Sequence, residues 1–231
     1  MPGRLCGLGV GPGDPELLTL KALRLLRSAP VVAYPAPEQD ESFARSIVKA
    51  WLESWQRELP IPIPMRPGSP AAAVYDAAAA ALAAELEGGQ DVALLCQGDP
   101  FFYGSFVQLW TRLTPRYRVE VIPGVCSLAA CAAVAATPLV IHDEALVVLP
   151  ATLSAAELER RLAGADAAAI VKLGRHFAKV RRVLDALGLL DRACYVERAT
   201  LPNQRMAPLA SVDTASVPYF SMALICRHQL R

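Results

Sequence analysis

The chain has 231 residues, enough for one large domain or two small ones with a sizeable core. Hydrophobic residues make up 54% against 19% charged, which excludes a disordered chain. The formal net charge of +1 gives no sign of general affinity for nucleic acid or for acidic membranes.

In chain order, the predicted strands of the first half cover residues 4–10, 30–34, 59–63, 91–96 and 118–122. Predicted helices over 15–27, 41–58, 70–87 and 104–114 separate them. This βαβα order implies a mostly parallel sheet covered by helices. The first helix carries a start signal: Asp14 as N-cap, Pro15 at the first helical position and Glu16 at the positive end of the dipole. The Ala-rich helix needs only high propensity, and Gly88-Gly89 ends it. The stretch 121–141 has no charged residue, but Pro123-Gly124 opens it and Thr137-Pro138 interrupts it. That leaves about 11 helical residues, roughly 16 Å of helix, where a bilayer needs about 20 residues. A short buried helix is expected, and no membrane association.

A second series follows, with strands over 145–149, 167–172, 193–197, 204–209 and 219–226 and helices over 154–163 and 176–187. No helix separates the last two strands, so this sheet is expected to be mixed. The expected fold class is α/β, in two domains, 1–122 and 123–231, with a mostly parallel N-terminal sheet and a mixed C-terminal one. No internal repeat is visible. The six cysteines (6, 96, 126, 131, 194, 226) form no C-x-x-C pair, and only His142, His176 and His228 are present. No metal site and no disulfide framework is expected. Reduced, mostly buried thiols in a cytoplasmic protein fit this usage. The glycine loop begins almost at the N-terminus, so no cleavable signal is expected.

In open parallel sheets ligands lie beyond the carboxyl ends of the strands, so the loops there decide the function. After the first strand comes LGVGPGD, residues 8–14. The dinucleotide fingerprint G-x-G-x-x-G is broken by Pro12 if counted from Gly7 and by Asp14 if counted from Gly9. Asp14 would also put a negative charge where a phosphate needs a helix N-terminus. The phosphate-cradling G-x-x-x-x-G-K-[ST] loop is absent. The loop reads either as a plain tight turn or as a close backbone approach to some ligand. After the fourth strand comes QGDPFFYGS, residues 97–105, in which Gly98 and Gly104 bracket Phe101, Phe102 and Tyr103. Asp99 at a strand end suits a ligand hydroxyl, amine or cation, and no Lys or Arg stands near it in sequence.

Cys126, close to a helix N-terminus, has the position of a nucleophile, but no Cys–His signature accompanies it. In the second half, KLGRH (172–176) and ERAT (197–200) each follow a strand. The basic run 174–182 reads as a solvated helix face or as a dock for an acidic substrate, to which Arg175 is best placed.

LGVGPGDPELLTLKA, the GDPFFYGSF loop and the IPGV–S segment, in this order, resemble the tetrapyrrole methylases of cobalamin biosynthesis. VVAYPAP, KLGRHFAKVRRVL, YVERAT–NQR and the terminal YFSMALI are similar to the members that methylate precorrin-2 at C-20. The resemblance spans nearly the whole chain. It implies the class III methyltransferase fold, two α/β domains with S-adenosylmethionine between them, a tetrapyrrole substrate and a homodimer. No nucleic-acid or membrane partner is implied.

Carried over by position, the cofactor residues are Pro12, Gly98, Asp99, Tyr103, Ser127, Leu173, Ala199 and Thr200. Because S-adenosylmethionine has no phosphate, a missing pyrophosphate fingerprint and a carboxylate near the sulfonium both make sense. One departure is visible: Cys126 stands where relatives often carry a hydroxyl residue, while Ser127 keeps its hydroxyl. The reaction implied is direct displacement at the methyl group, with Asp99 and Tyr34 as candidate bases for the meso proton. Arg175, Arg198 and Arg205 are candidate forks for substrate carboxylates.

The alternatives are the cobalt-containing substrate, another ring position, a ribose methyltransferase acting on ribosomal RNA, and a nicotinamide oxidoreductase. A ribose methyltransferase should carry a basic surface, and an oxidoreductase needs the fingerprint that Pro12 and Asp14 spoil.

Overall fold

The computed structural model describes residues 1–36, 41–62 and 71–226. They form two compact units, Met1–Cys126 and Ser127–Arg231. The first contains β1 (Leu5–Gly9), α1 (Leu20–Ser28), β2 (Val31–Ala36), α2 (Phe43–Val48), β3 (Arg57–Pro62), α3 (Ala71–Glu87), β4 (Val92–Cys96), α4 (Phe106–Leu113) and β5 (Val119–Ile122). Its sheet has the order β3-β2-β4-β1-β5, and every pairing is parallel. β1 and β4 are buried along their whole length, as apolar strands covered on both faces must be. Leu5, Val92 and Leu94 pack with Leu82 and Leu86 of α3 and Leu109 and Leu113 of α4. The alternate residues Cys6, Leu8, Ala93 and Leu95 pack with Leu25 and Leu26 of α1 and Ile47 of α2.

Two helices differ from expectation here. Asp14 does cap, its Oδ1 accepting from the Glu16 N–H at 2.8 Å, but it starts only a 3-10 turn over Pro15–Leu17. Leu18 is extended, and Thr19 caps α1 by accepting from the Ala22 N–H at 3.1 Å. The helix expected over 41–58 ends at Val48, followed by a 3-10 turn at Lys49–Trp51. Tertiary bonds override helix propensity beyond it: the Gln56 side-chain amide donates to the Leu26 and Ala29 carbonyls at 2.7 and 2.8 Å. Glu58 therefore lies on β3, an edge strand, where Pro60 and Pro62 are tolerated. Residue 63 and residue 70, the expected end of a strand and start of a helix, lie outside the described residues.

Glu58 and Arg45 form a two-bond fork, Nε–Oε2 at 2.5 Å and Nη2–Oε1 at 2.8 Å. The guanidinium bonds hold the Glu58 carboxyl below its ordinary 4.5. Its stabilisation is therefore present above the unfolded-state pKa and is lost as pH falls through the lower folded value. The urea midpoints of wild type and Glu58→Gln are expected to differ at pH 6 and to converge as the pH drops below about 4.

The second unit contains α5 (Ser127–Val134), β6 (Leu146–Pro150), α6 (Ala155–Leu162), β7 (Ala167–Val171), α7 (Phe177–Ala186), β8 (Ala193–Glu197), β9 (Arg205–Pro208) and β10 (Ser221–Cys226). The sheet order is β6-β7-β10-β8-β9. β6 and β7 are parallel, and β10 inserts antiparallel between β7 and β8, so the sheet is mixed. One face packs Leu158 and Leu162 of α6 and Phe177, Val180 and Leu184 of α7. The other packs Ala130 and Cys131 of α5. Among the described residues no helix is long and apolar enough to cross a membrane, and no group of His, Cys, Asp or Glu is placed to hold a metal ion.

Candidate active site

In the first unit the site begins where β1 and β4 end side by side. Beyond the strands the two loops remain joined by an isolated antiparallel bridge. The Gly11 N–H donates to the Gly98 carbonyl at 3.3 Å, and the Gly98 N–H returns the bond to Gly11 at 2.7 Å. Both glycines have positive φ, +83° and +66°, a conformation in which a side chain is strained.

Gly124, after β5, completes the arrangement. A Cβ on Gly124 would lie 2.2 Å from the Gly98 oxygen and 2.8 Å from the Gly9 Cα. Three strand ends thus touch through bare main chain. Asp99 ties two of them together. Its Oδ1 accepts from the Phe101 N–H at 2.9 Å and its Oδ2 from the Gly124 N–H at 3.1 Å. Tyr103 follows at φ +54°, unusual for a residue with a Cβ, with its ring edge-on to Phe102 and 45% exposed. Pro12 is buried within the first loop.

This loop cluster suits an uncharged nucleoside or a cation better than a pyrophosphate. Asp14 already fills the helix-end position that a phosphate would need, and the side chain that staples the loops, Asp99, is a carboxylate.

Tyr34 lies on β2, 8% exposed, with the Arg45 guanidinium 5.9 Å over its ring. Burial, then the Glu58 carboxylate, raises its pKa, so the phenol keeps its proton at neutral pH. It is suited to donate a hydrogen bond rather than to remove a proton.

In the second unit, unusual backbone marks the ends of β7 and β8. Lys172 has φ +61°, Arg198 +49° and Thr200 +70°, three non-glycine residues in the left-handed region. Such outliers cluster at ligand sites because the surrounding fold has to hold them. The Thr200 N–H is held by Gln204 Oε1 at 2.9 Å. Leu173 is fully buried in the core, whereas Ala199 is 7% exposed on the α5 side of the sheet. Ser127 is the first residue of α5 and is exposed.

Residues 4–213 match the family profile of the tetrapyrrole (corrin/porphyrin) methylases. The chain belongs to this family. A precorrin-2 C(20)-methyltransferase of Sinorhizobium sp is 45% identical over 96% of this chain and 95% of its own length. A cobalt-precorrin-2 C(20)-methyltransferase of Salmonella typhimurium is 35% identical, with 97% of both chains covered. The cobalamin biosynthesis protein CobIJ of Mycobacterium tuberculosis is 49% identical, but the chain spans only 46% of its length. Among solved structures, uroporphyrin-III C-methyl transferase of Thermus thermophilus complexed with S-adenyl homocysteine superposes with a TM-score of 0.69 at 27% identity, covering 96% of this chain and 97% of that one.

The three candidate arginines lie beyond the ends of β7 and β8 and on β9. Arg175, at the end of β7, is exposed, with its Nε 3.5 Å from His176 Nε2. Burial and then the charges of Lys179 and Arg175 lower the His176 pKa, so this imidazole is neutral at pH 7. Arg198 spends part of its charge on Glu197, at 3.3 Å, yet its side chain is 40% exposed. Arg205 is exposed on edge strand β9, directly opposite Glu197.

Two further members of the basic run have structural work. Lys179 Nζ bonds the Ala151 carbonyl at 2.6 Å and also that of Leu153, while Arg181 bonds the Ala210 carbonyl at 2.8 Å. The solvated-face alternative therefore fails for Lys179 and Arg181 but fits exposed Arg182. Glu197 escaped sequence reasoning altogether. It is 6% exposed and accepts from the Tyr195 hydroxyl at 2.5 Å. Its signal was a carboxylate ending an apolar strand. Gly9 and Gly124 were missed as partners because their contact joins distant segments.

Proposed function

We propose that this methylase transfers the methyl group of S-adenosylmethionine to C-20 of precorrin-2, giving precorrin-3A in cobalamin biosynthesis. The observation that carries this reading is the near end-to-end match, at 45% identity, to a protein named for that reaction. The lower identity of 35% to the cobalt-precorrin-2 relative favours the metal-free substrate. The residues proposed to meet the cofactor, carried over from the family resemblance, are Pro12, Gly98, Asp99, Tyr103, Ser127, Leu173, Ala199 and Thr200. The bare glycine contacts and the carboxylate staple support this assignment, because they admit a nucleoside and tolerate a sulfonium.

The chemistry supplied by the bound cofactor is an electrophilic methyl group on a good leaving group. The C-20 carbon attacks that methyl, the carbon–sulfur bond breaks, S-adenosylhomocysteine leaves, and the meso proton of C-20 is released. What this chain has to do is hold carbon, methyl and sulfur in line and exclude water, and positioning of this kind supplies up to roughly 7–11 kcal/mol of barrier reduction. Asp99 serves to fix the loops, and Tyr34, which keeps its proton, is not asked to act as the base. Arg175, Arg198 and Arg205 receive substrate carboxylates. The enzyme works as a cytoplasmic homodimer.

Thermal unfolding with S-adenosylhomocysteine, NAD and NADP separates this reading from an oxidoreductase. At 100 times its Kd a ligand stabilises the fold by about 2.7 kcal/mol. S-adenosylhomocysteine alone is expected to raise the melting temperature, and a rise with NAD alone would contradict the proposal.

A further inference from the structure

The residues that enter β10 are two exposed aromatics, Tyr219 at 57% and Phe220 at 39%. Their rings meet edge to face, 5.4 Å between centroids and 73° between planes. Their position in the sheet is specific. β10 lies antiparallel between β7 and β8, so its first residues sit where those two strands leave the sheet. Tyr219 Cα lies 3.5 Å from where a Cβ on Gly174 would be, and the Arg198 N–H donates to the Phe220 carbonyl at 3.0 Å. The pair is therefore flanked by the loops at Lys172–Gly174 and Arg198–Thr200, which carry the left-handed residues described above. Exposed Arg175 stands on the β7 side and half-exposed Arg198 on the β8 side.

We propose that Tyr219 and Phe220 form a shelf that takes the flat face of the tetrapyrrole, with Arg175 and Arg198 meeting carboxylates at the macrocycle rim. This rests on the function proposed above and adds two substrate-positioning residues to it. An adenine ring fits the shelf less well, because it carries no anionic rim for Arg175 and Arg198 to meet. A macrocycle with an apolar centre and carboxylates around its edge matches both halves of the surface.

The test uses Tyr219→Leu and Phe220→Leu, both exposed positions, with Tyr219→Trp as the variant that keeps a flat ring. Uroporphyrin III, a stable fluorescent polycarboxylate macrocycle, reports binding without turnover, and calorimetry reports the affinity for S-adenosylhomocysteine. Each leucine variant is expected to weaken uroporphyrin III binding, and to raise KM for precorrin-2, by roughly tenfold, while Tyr219→Trp stays near wild type. Affinity for S-adenosylhomocysteine is expected to stay within about twofold.

Weakened S-adenosylhomocysteine binding with unchanged macrocycle binding would overturn the shelf, as would no change in either or a change in sedimentation alone. Wild-type protein that fails to bind uroporphyrin III would overturn it too. Wild-type protein that binds uroporphyrin III but neither binds S-adenosylhomocysteine nor methylates precorrin-2 would remove the proposed function while leaving the shelf in place, provided the leucine variants lose macrocycle binding.

Discussion

Gly124→Ala is expected to abolish measurable binding of S-adenosylhomocysteine and to destabilise the protein by about 1–3 kcal/mol. The reason is that every near neighbour of the added methyl is main chain. The new carbon would lie 2.2 Å from the Gly98 carbonyl oxygen, 2.7 Å from the Gly9 carbonyl carbon and 2.8 Å from the Gly9 Cα. A flexible side chain could swing away, but here the ends of β1, β4 and β5 would have to move apart. That movement would strain the paired Gly11 and Gly98 hydrogen bonds and pull Oδ2 of Asp99 from the Gly124 N–H. Urea denaturation should show a lower midpoint with an unchanged slope, and calorimetry should show no heat from the ligand. A variant with wild-type midpoint and affinity would mean that the close approach of these glycines does not matter.

Asp99 is expected to separate a positioning role from a catalytic one. Each carboxylate oxygen holds one main-chain N–H, and a charge-assisted bond of this kind is worth about 1.5–3 kcal/mol. Alanine orphans both N–H groups, and asparagine keeps one acceptor and places an NH₂ against the other donor. Affinity for S-adenosylhomocysteine should fall about tenfold in Asp99→Asn and about 100-fold in Asp99→Ala, following the bonds lost. For a residue that only positions the loops, the kcat of Asp99→Asn at saturating cofactor should stay within about threefold of wild type. Loss of a general base would instead lower kcat by about 10²- to 10⁴-fold. Isothermal calorimetry with steady-state kinetics on the two variants decides between them, and a large fall in kcat with affinity intact would make Asp99 the base after all.

The architecture was legible because hydrophobic runs and breakers coincide in this chain. Leu5–Gly9, Val92–Cys96 and Ala193–Glu197 are apolar runs bounded by turn residues, and each falls within a residue or two of its expected strand. The missing helix between the last two strands foretold the mixed sheet. Less legible were features decided by contacts between distant segments. Gln56 reaches the end of α1 and stops a helix that local propensity favoured. Thr19 rather than Asp14 caps α1 because Leu18 turns extended between two acceptable capping residues.

At the site, the glycines and Asp99 were visible as residue types in the right loops. Their mutual contacts were not, since nothing local says that Gly9 and Gly124 share one point in space. The left-handed backbone at Lys172, Arg198 and Thr200 could not be read at all, because none of these residues favours that conformation on its own. The buried Glu197 and its Tyr195 partner were likewise hidden, because a charged residue at a strand end reads as exposed.

The most direct measurement incubates the protein with precorrin-2 and S-adenosylmethionine carrying a carbon-13 methyl group, then analyses the tetrapyrrole by mass spectrometry and NMR. One added labelled methyl, bonded to C-20, is the expected result, with S-adenosylhomocysteine formed in equal amount. Transfer to a different ring carbon, or none while both ligands bind, would contradict the assignment.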